Sequence, residues 1–154
     1  MNFLDTLKTR ANEIERPPLI PIGTYTAMVK KVPESGSVSD GKWDTLDFQL
    51  QLVSAGEDVD QDDLAKFGGL GGHATVRHRF MFNTEDKAAF DRTLFQLKRF
   101  LLDHLKVSGS DDSTLAELIN NSVNTSCLVA IKWRADKNDA ETQYAEIQRT
   151  APTD

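Results

Sequence analysis

Apolar and polar positions alternate most cleanly between Thr45 and Ala55, where Leu46, Phe48, Leu50 and Leu52 form one row and Asp47, Gln49 and Gln51 the other. A period of two over such a stretch predicts a strand packed on one side. Thr24 to Val32 repeats the pattern, with Tyr25, Ala27 and Val29 on one face and Pro33 as its stop. Ala74 to Phe82 (ATVRHRFMF) predicts a third strand, rich in β-branched and aromatic residues. Neighbours on a strand point to opposite faces, so Val76, His78, Phe80 and Phe82 share one side, and Thr75, Arg77, Arg79 and Met81 the other. Two more strands are expected over Cys127 to Arg134 and Thr142 to Ile147, joined by a hairpin turn from Ala135 to Glu141.

The spacing changes to three and four after Asn83. Phe90, Leu94, Leu97, Leu101 and Leu105 recur at that interval, with Phe95 and Leu102 widening the stripe. This predicts a helix running to about Leu105, with Asn83 or Thr84 as its cap and Glu85 and Asp86 at its positive end. A shorter helix is expected from Ser113 to Ile119. Phe3, Leu4, Leu7, Ala11 and Ile14 predict one more amphipathic helix over Asn2 to Glu15, ended by Pro17 and Pro18. It fits equally a cap on the body of the fold or a mobile arm. Pro33 to Lys42, with its Asp40-Gly41 pair, reads as a turn-rich loop. Gly56 to Gly72, acidic and ending in FGGLGG, reads as a long loop with one helical turn near Leu64 to Phe67.

The order is therefore three strands, one or two helices, then two strands. Five strands with a helix between the third and fourth is the pattern of an OB-fold β-barrel, a mainly β architecture. An unclassified α+β domain is the alternative. Residues 1–18 form the N-terminal helix or arm, 19–150 the barrel, and 151–154 a frayed tail.

Composition narrows the function. The chain has 154 residues, 39% hydrophobic and 27% charged, enough for one core without staples. A net charge of -6 argues against adhesion to anionic membranes. It leaves room for a local basic groove. The lone Cys127 excludes an internal disulfide and a multi-cysteine metal site, which fits the cytoplasm. No apolar run reaches the length of a membrane span, and MNFLDTLKTR lacks the apolar region of a secretion signal.

Catalytic chemistry finds little support. His73 and His78 do not have zinc-ligand spacing, and FGGLGG lacks the lysine and hydroxyl residue of a phosphate loop. Asp44 and Asp47 lie on opposite faces of their strand. Cys127 has no histidine near it in sequence. Neither an enzyme, a cofactor nor a metal is expected.

The basic strands carry the functional expectation. Arg77 and Arg79 stand two apart on one face, and Lys132 and Arg134 repeat the arrangement. Lys30, Lys31 and Lys42 would extend such a track. Trp43, Tyr25 and Trp133 are the aromatic candidates for stacking on bases, although Trp133 fits a core position equally well. A positive groove with exposed rings is what single-strand binders use.

PIGTYTAMVKKV, the Asp-Gly loop, WDTLDFQLQLVSAG and GGHATVRHRFMF together resemble the opening of phage-type single-stranded DNA-binding proteins. The resemblance spans Pro21 to Phe82. It implies an OB-fold protein that coats single-stranded DNA, without sequence specificity, during phage DNA replication or recombination in the host cytoplasm. Replication or recombination proteins would be further partners, and a homo-oligomer is left open. The chain departs from the family pattern at its end, where RTAPTD replaces a long acidic tail. The competing expectation is a phage structural or adaptor protein using the same β surface to bind a protein.

Overall fold

The computed structural model describes residues 2–14 and 16–153. The bounds expected at Glu15 and Asp154 lie outside the described residues. Six strands form one sheet: β1 (Gly23–Val29), β2 (Glu34–Val38), β3 (Trp43–Ala55), β4 (Thr75–Asn83), β5 (Ser126–Ala135) and β6 (Gln143–Ala151). Hydrogen bonding runs in the order β2-β3-β1-β5-β6, and β4 pairs with β3. All pairings are antiparallel.

The alternating rows become the core. Tyr25, Ala27 and Val29 of β1 are wholly buried, as are Phe48, Leu50 and Leu52 of β3. Val76, Phe80 and Phe82 of β4 join them, with Cys127, Val129 and Ile131 of β5. Gln51 departs from the wet row expected for it. Its amide donates to the carbonyls of Leu52, Gly71 and Ala74 at 2.8–3.1 Å, pinning the loop before β4 against the sheet. That loop holds α2 (Gln61–Phe67), capped by the Asp60 carboxylate and closed by Gly68 at φ 103°. Only glycine takes that left-handed conformation without steric cost.

β2 lies where a loop is expected. Its sequence, ESGSV, is small and exposed, so it carries no hydrophobic alternation. It exists because the turn at Ser39, Asp40 and Gly41, with φ of 54°, 57° and 84°, folds it back on β3.

Helix α3 (Lys87–Arg99) starts from an Asp86 cap rather than Asn83 or Thr84, and passes into a π turn, Phe100–His104. The turn seats Phe100 in an aromatic cluster with Phe48, Phe80 and His78, at ring separations of 4.7–5.8 Å. A short helix, α4 (Leu115–Asn120), leads into β5.

The expected five-stranded closed OB barrel is not what forms. The sheet has six strands, several helices intersperse it, and β4 and β6 share no ladder, so the protein is a mixed α/β domain with an open sheet. Local contacts give a physical reason. The Thr93 hydroxyl of α3 donates to the Met81 carbonyl of β4 at 3.0 Å. His104 Nδ1 lies 2.7 Å from the Thr150 hydroxyl of β6. Met81 thus gives its carbonyl to α3 rather than to an amide of β6, and β6 is tied to the π turn through Thr150.

The expected N-terminal helix is also replaced. Among the described residues of that segment, only α1 (Phe3–Thr6) and a single 3-10 turn, Ala11–Glu13, form, and neither buries a residue.

Candidate functional site

Between the unpaired edges of β4 and β6 lies a cleft of about 580 Å³. Arg77, His78, Arg79 and Met81 line it from β4; Tyr144, Ala145, Glu146 and Ile147 from β6; and Arg134 from β5. The alternation of β4 sends Arg77, Arg79 and Met81 outward while Val76, Phe80 and Phe82 go to the core. The antiparallel register of β5 and β6 sets Arg134 opposite Tyr144, and Lys132 opposite Glu146.

Charges in the cleft are mostly spoken for. Arg79 Nε and Nη2 donate to the two Asp47 oxygens at 2.7 and 2.9 Å, a fork matched to a carboxylate. The same hydrogen bond holds the Asp47 carboxyl below the usual carboxylate range, with the charges of Arg79 and Arg77 adding to it. Arg134 Nη1 lies 3.4 Å from Glu146 Oε2, and its guanidinium sits 5.9 Å from the Tyr144 ring centre. Among the described residues, no carboxylate comes within 4.0 Å of Arg77. Arg77 also borders a second depression of about 350 Å³ that Lys31 and Glu34 share.

His78 faces the cleft from β4 while packing edge-on to Phe80 and Phe100. Burial, with a smaller push from His104, drives its pKa down to about 4. It is therefore neutral near pH 7 and adds no charge to the cleft.

The nominated residues scatter over several environments. Arg77, Arg79 and Arg134 come together in the cleft. Lys132 is exposed on the adjoining part of β5, outside the cleft lining. Lys30 is exposed just past β1. Lys31 pairs with Glu34 at 3.1 Å and Lys42 with Glu85 at 4.0 Å. Tyr25 cannot stack on a ligand, because it is wholly buried and its hydroxyl donates to the Pro21 carbonyl at 2.7 Å. Trp43 is half-buried at the start of β3, between Val38 and Asn83. Trp133 is 43% exposed, but its indole N–H is committed to the Ile20 carbonyl at 2.7 Å. Met81, Tyr144 and Glu146 complete the cleft and were not nominated from sequence. The alternation in TQYAEI was the available signal: it places Tyr144 and Glu146 on one face.

The seven nominated cations do not form one run: Arg77, Arg79 and Arg134 share the cleft, Lys132 adjoins it, and Lys30, Lys31 and Lys42 lie outside it. Four of the seven nominated cations, Lys31, Lys42, Arg79 and Arg134, already hold carboxylates. One of the three nominated rings is sealed in the core. The closed barrel that would present them does not form. These findings overturn the expected OB-fold single-stranded DNA-binding activity and its place in phage replication or recombination.

Among the described residues, no group of three or more His, Cys, Asp or Glu gathers to hold a metal ion. Among the described residues, no helix is long and apolar enough to cross a membrane. Compared with known protein families and with curated proteins, the chain matches no family model and no curated sequence, so the resemblance to phage single-stranded DNA-binding proteins finds no support there.

Proposed function

We propose that the protein is a non-catalytic binding module whose β4–β6 cleft takes an extended, acidic segment of another protein. The observation that carries this reading is Arg77, a cation without a carboxylate partner among the described residues, beside a strand edge without a ladder. A sheet edge offers backbone donors and acceptors to an incoming strand. At Arg77–Arg79 that edge borders a cleft large enough for several side chains. In an extended segment, alternate side chains point the same way. One carboxylate would meet Arg77, and the next residue on that face would rest on Met81 or Tyr144, both partly exposed apolar surfaces.

Recognition would come mainly from backbone pairing, since the local cations are few. A cytoplasmic setting goes with this reading, because the lone Cys127 can form no internal disulfide.

The test uses a fluorescein-labelled octapeptide alternating Glu and Val, with oligothymidine of equal length as the competing probe. Fluorescence anisotropy should show saturable peptide binding, weakened about tenfold by Arg77→Glu, the loss expected of one charged hydrogen bond. Absence of peptide binding, indifference to R77E, or tighter binding of oligothymidine would each overturn the proposal.

A further inference from the structure

The outer face of α3 is basic in an acidic chain. Lys87–Arg99 holds four cations and one carboxylate, whereas the whole chain has a net charge of -6. Two of those cations are already engaged: Lys87 meets Asp91 at 2.7 Å and Lys98 meets Asp111 at 3.2 Å. Among the described residues, no carboxylate comes within 4.0 Å of Arg92 or Arg99. These two arginines are seven residues apart, about 10.5 Å along the axis, and so leave the helix in nearly the same direction. Phe95 stands between them, 64% exposed, and lines one shallow depression with both. Leu97 and Phe100, on the opposite side of the helix, are buried in the core.

We infer that this face of α3 docks an acidic amphipathic helix of another protein, one with two carboxylates two turns apart and an apolar residue between them. The surface lies outside the β4–β6 cleft, and the inference does not depend on that cleft. Any two α-helices rise by the same amount per residue, about 1.5 Å. At the shallow crossing angle common in bundles, carboxylates at that spacing therefore stay level with Arg92 and Arg99. Each guanidinium offers a fork of donors that fits a carboxylate. Phe95 supplies the aromatic anchor between the two pairs, and aromatic residues and arginine are the types enriched at interfaces. An apolar residue of the partner resting on Phe95 would exclude water from between the ion pairs, which strengthens both.

The flanking charges select against a continuous polyanion. Asp91, next to Arg92, and Asp103, four residues beyond Arg99, are both exposed. A nucleic-acid backbone or an anionic lipid surface laid along the two arginines would run over these carboxylates as well, and like charges repel. A helix places its charges one at a time and can set neutral or cationic side chains opposite Asp91 and Asp103. Exposed ion pairs are individually weak and are screened by salt, so the docking is weak, transient and salt-sensitive.

The test uses an alanine-based helical peptide of about 20 residues, with Glu at two positions seven apart and Leu three and four residues after the first. A second peptide has the same composition with its two Glu on opposite faces, and oligothymidine is the polyanion probe. Titrated into the nitrogen-15-labelled full chain at low salt, the first peptide should shift the NMR signals of the Arg92–Arg99 amides and saturate below about 1 mM. Phe95→Ala and Arg92→Glu, both at exposed positions, should each weaken that binding about fivefold or more, with unchanged circular dichroism. An Arg92→Glu/Arg99→Glu chain should instead bind the peptide that carries Lys in place of Glu. Absence of saturable binding would overturn the inference. So would equal binding of the second peptide, shifts confined to β4 and β6, indifference to F95A and R92E, or oligothymidine shifting the α3 amides where the peptide does not.

Discussion

Replacing His78 by Phe should remove a pH dependence that the fold builds into its centre. The imidazole packs against Phe80 at 4.7 Å and Phe100 at 4.9 Å, where burial drives its pKa down to about 4 from an ordinary 6.5. Between those two values the unfolded chain binds a proton that the folded chain refuses. Stability therefore rises with pH across this window, and is lost as pH falls from about 6.5 through about 4. At 1.36 kcal/mol per pH unit, the whole window is worth about 3 kcal/mol, a large share of the stability of an ordinary domain. His104, also held low by burial, adds a smaller slope in the same direction. Asp47 acts in the other part of the scale: its lowered carboxyl contributes stability that disappears only as pH falls below about 3.8. The assay is urea unfolding followed by tryptophan fluorescence at pH 7.5, 6.5, 5.5 and 4.5, for the wild type and His78→Phe. The wild type should lose most of the 3 kcal/mol between pH 7.5 and 4.5, whereas H78F should keep most of it, at unchanged urea sensitivity per molar. Equal slopes in the two proteins, or a wild type whose stability is flat from pH 7.5 to 4.5, would refute the reasoning.

Gly23→Ala should destabilise by about 2 kcal/mol or more in the same urea assay, because Gly23 has φ 146° and an added Cβ would lie 2.6 Å from Val59 Cγ2. Tyr25→Phe should cost about 1–2 kcal/mol by leaving the Pro21 carbonyl without its buried donor, while Trp43→Phe, at a half-buried position whose indole bonds to none of the described residues, should cost less. Arg79→Met should let the Asp47 carboxyl rise toward the ordinary carboxylate range, which NMR titration of its side-chain carbon would read; no movement would mean the bidentate pair is not what holds it low. Cys127 is buried and its thiol is pushed up to about 12, so a disulfide-exchange reagent should modify it only as fast as the protein unfolds. Rapid modification in native buffer would contradict that burial.

Where the chain alternates strongly, the strands were legible before the structure. The row Leu46, Phe48, Leu50 and Leu52 faces inward along β3, and Phe48, Leu50 and Leu52 are wholly buried. Val76, Phe80 and Phe82 likewise turn to the core while Arg77 and Met81 turn to water. β2 was illegible because ESGSV buries nothing; its place depends on the three left-handed residues of the turn after it. The helix expected over residues 2–15 has its stripe in sequence, yet that stripe meets no surface of its own chain, and only short turns form there. The site was half legible. The outward direction of Arg77, Arg79 and Arg134 follows from strand alternation, but not the carboxylates that meet Arg79 and Arg134.

The amino-acid sequence alone determined which segments become the long strands, which of their faces are apolar, and that Cys127 stands without a disulfide partner. Those properties are local: they depend on neighbours two to four residues apart, and so periodicity reveals them. Tertiary structure decided how the strands pair and whether the sheet closes, and hence which cations stay free. Asp47 and Arg79 are 32 residues apart in the chain and become a bidentate pair only because β3 and β4 adopt one particular register. The edges of β4 and β6 stay unpaired for a reason of the same kind. Thr93 and His104, set by a helix and its π turn, meet Met81 and Thr150 from the two end strands. Contacts across such separations leave no period in a sequence, because each partner is chosen by the fold and not by its neighbours.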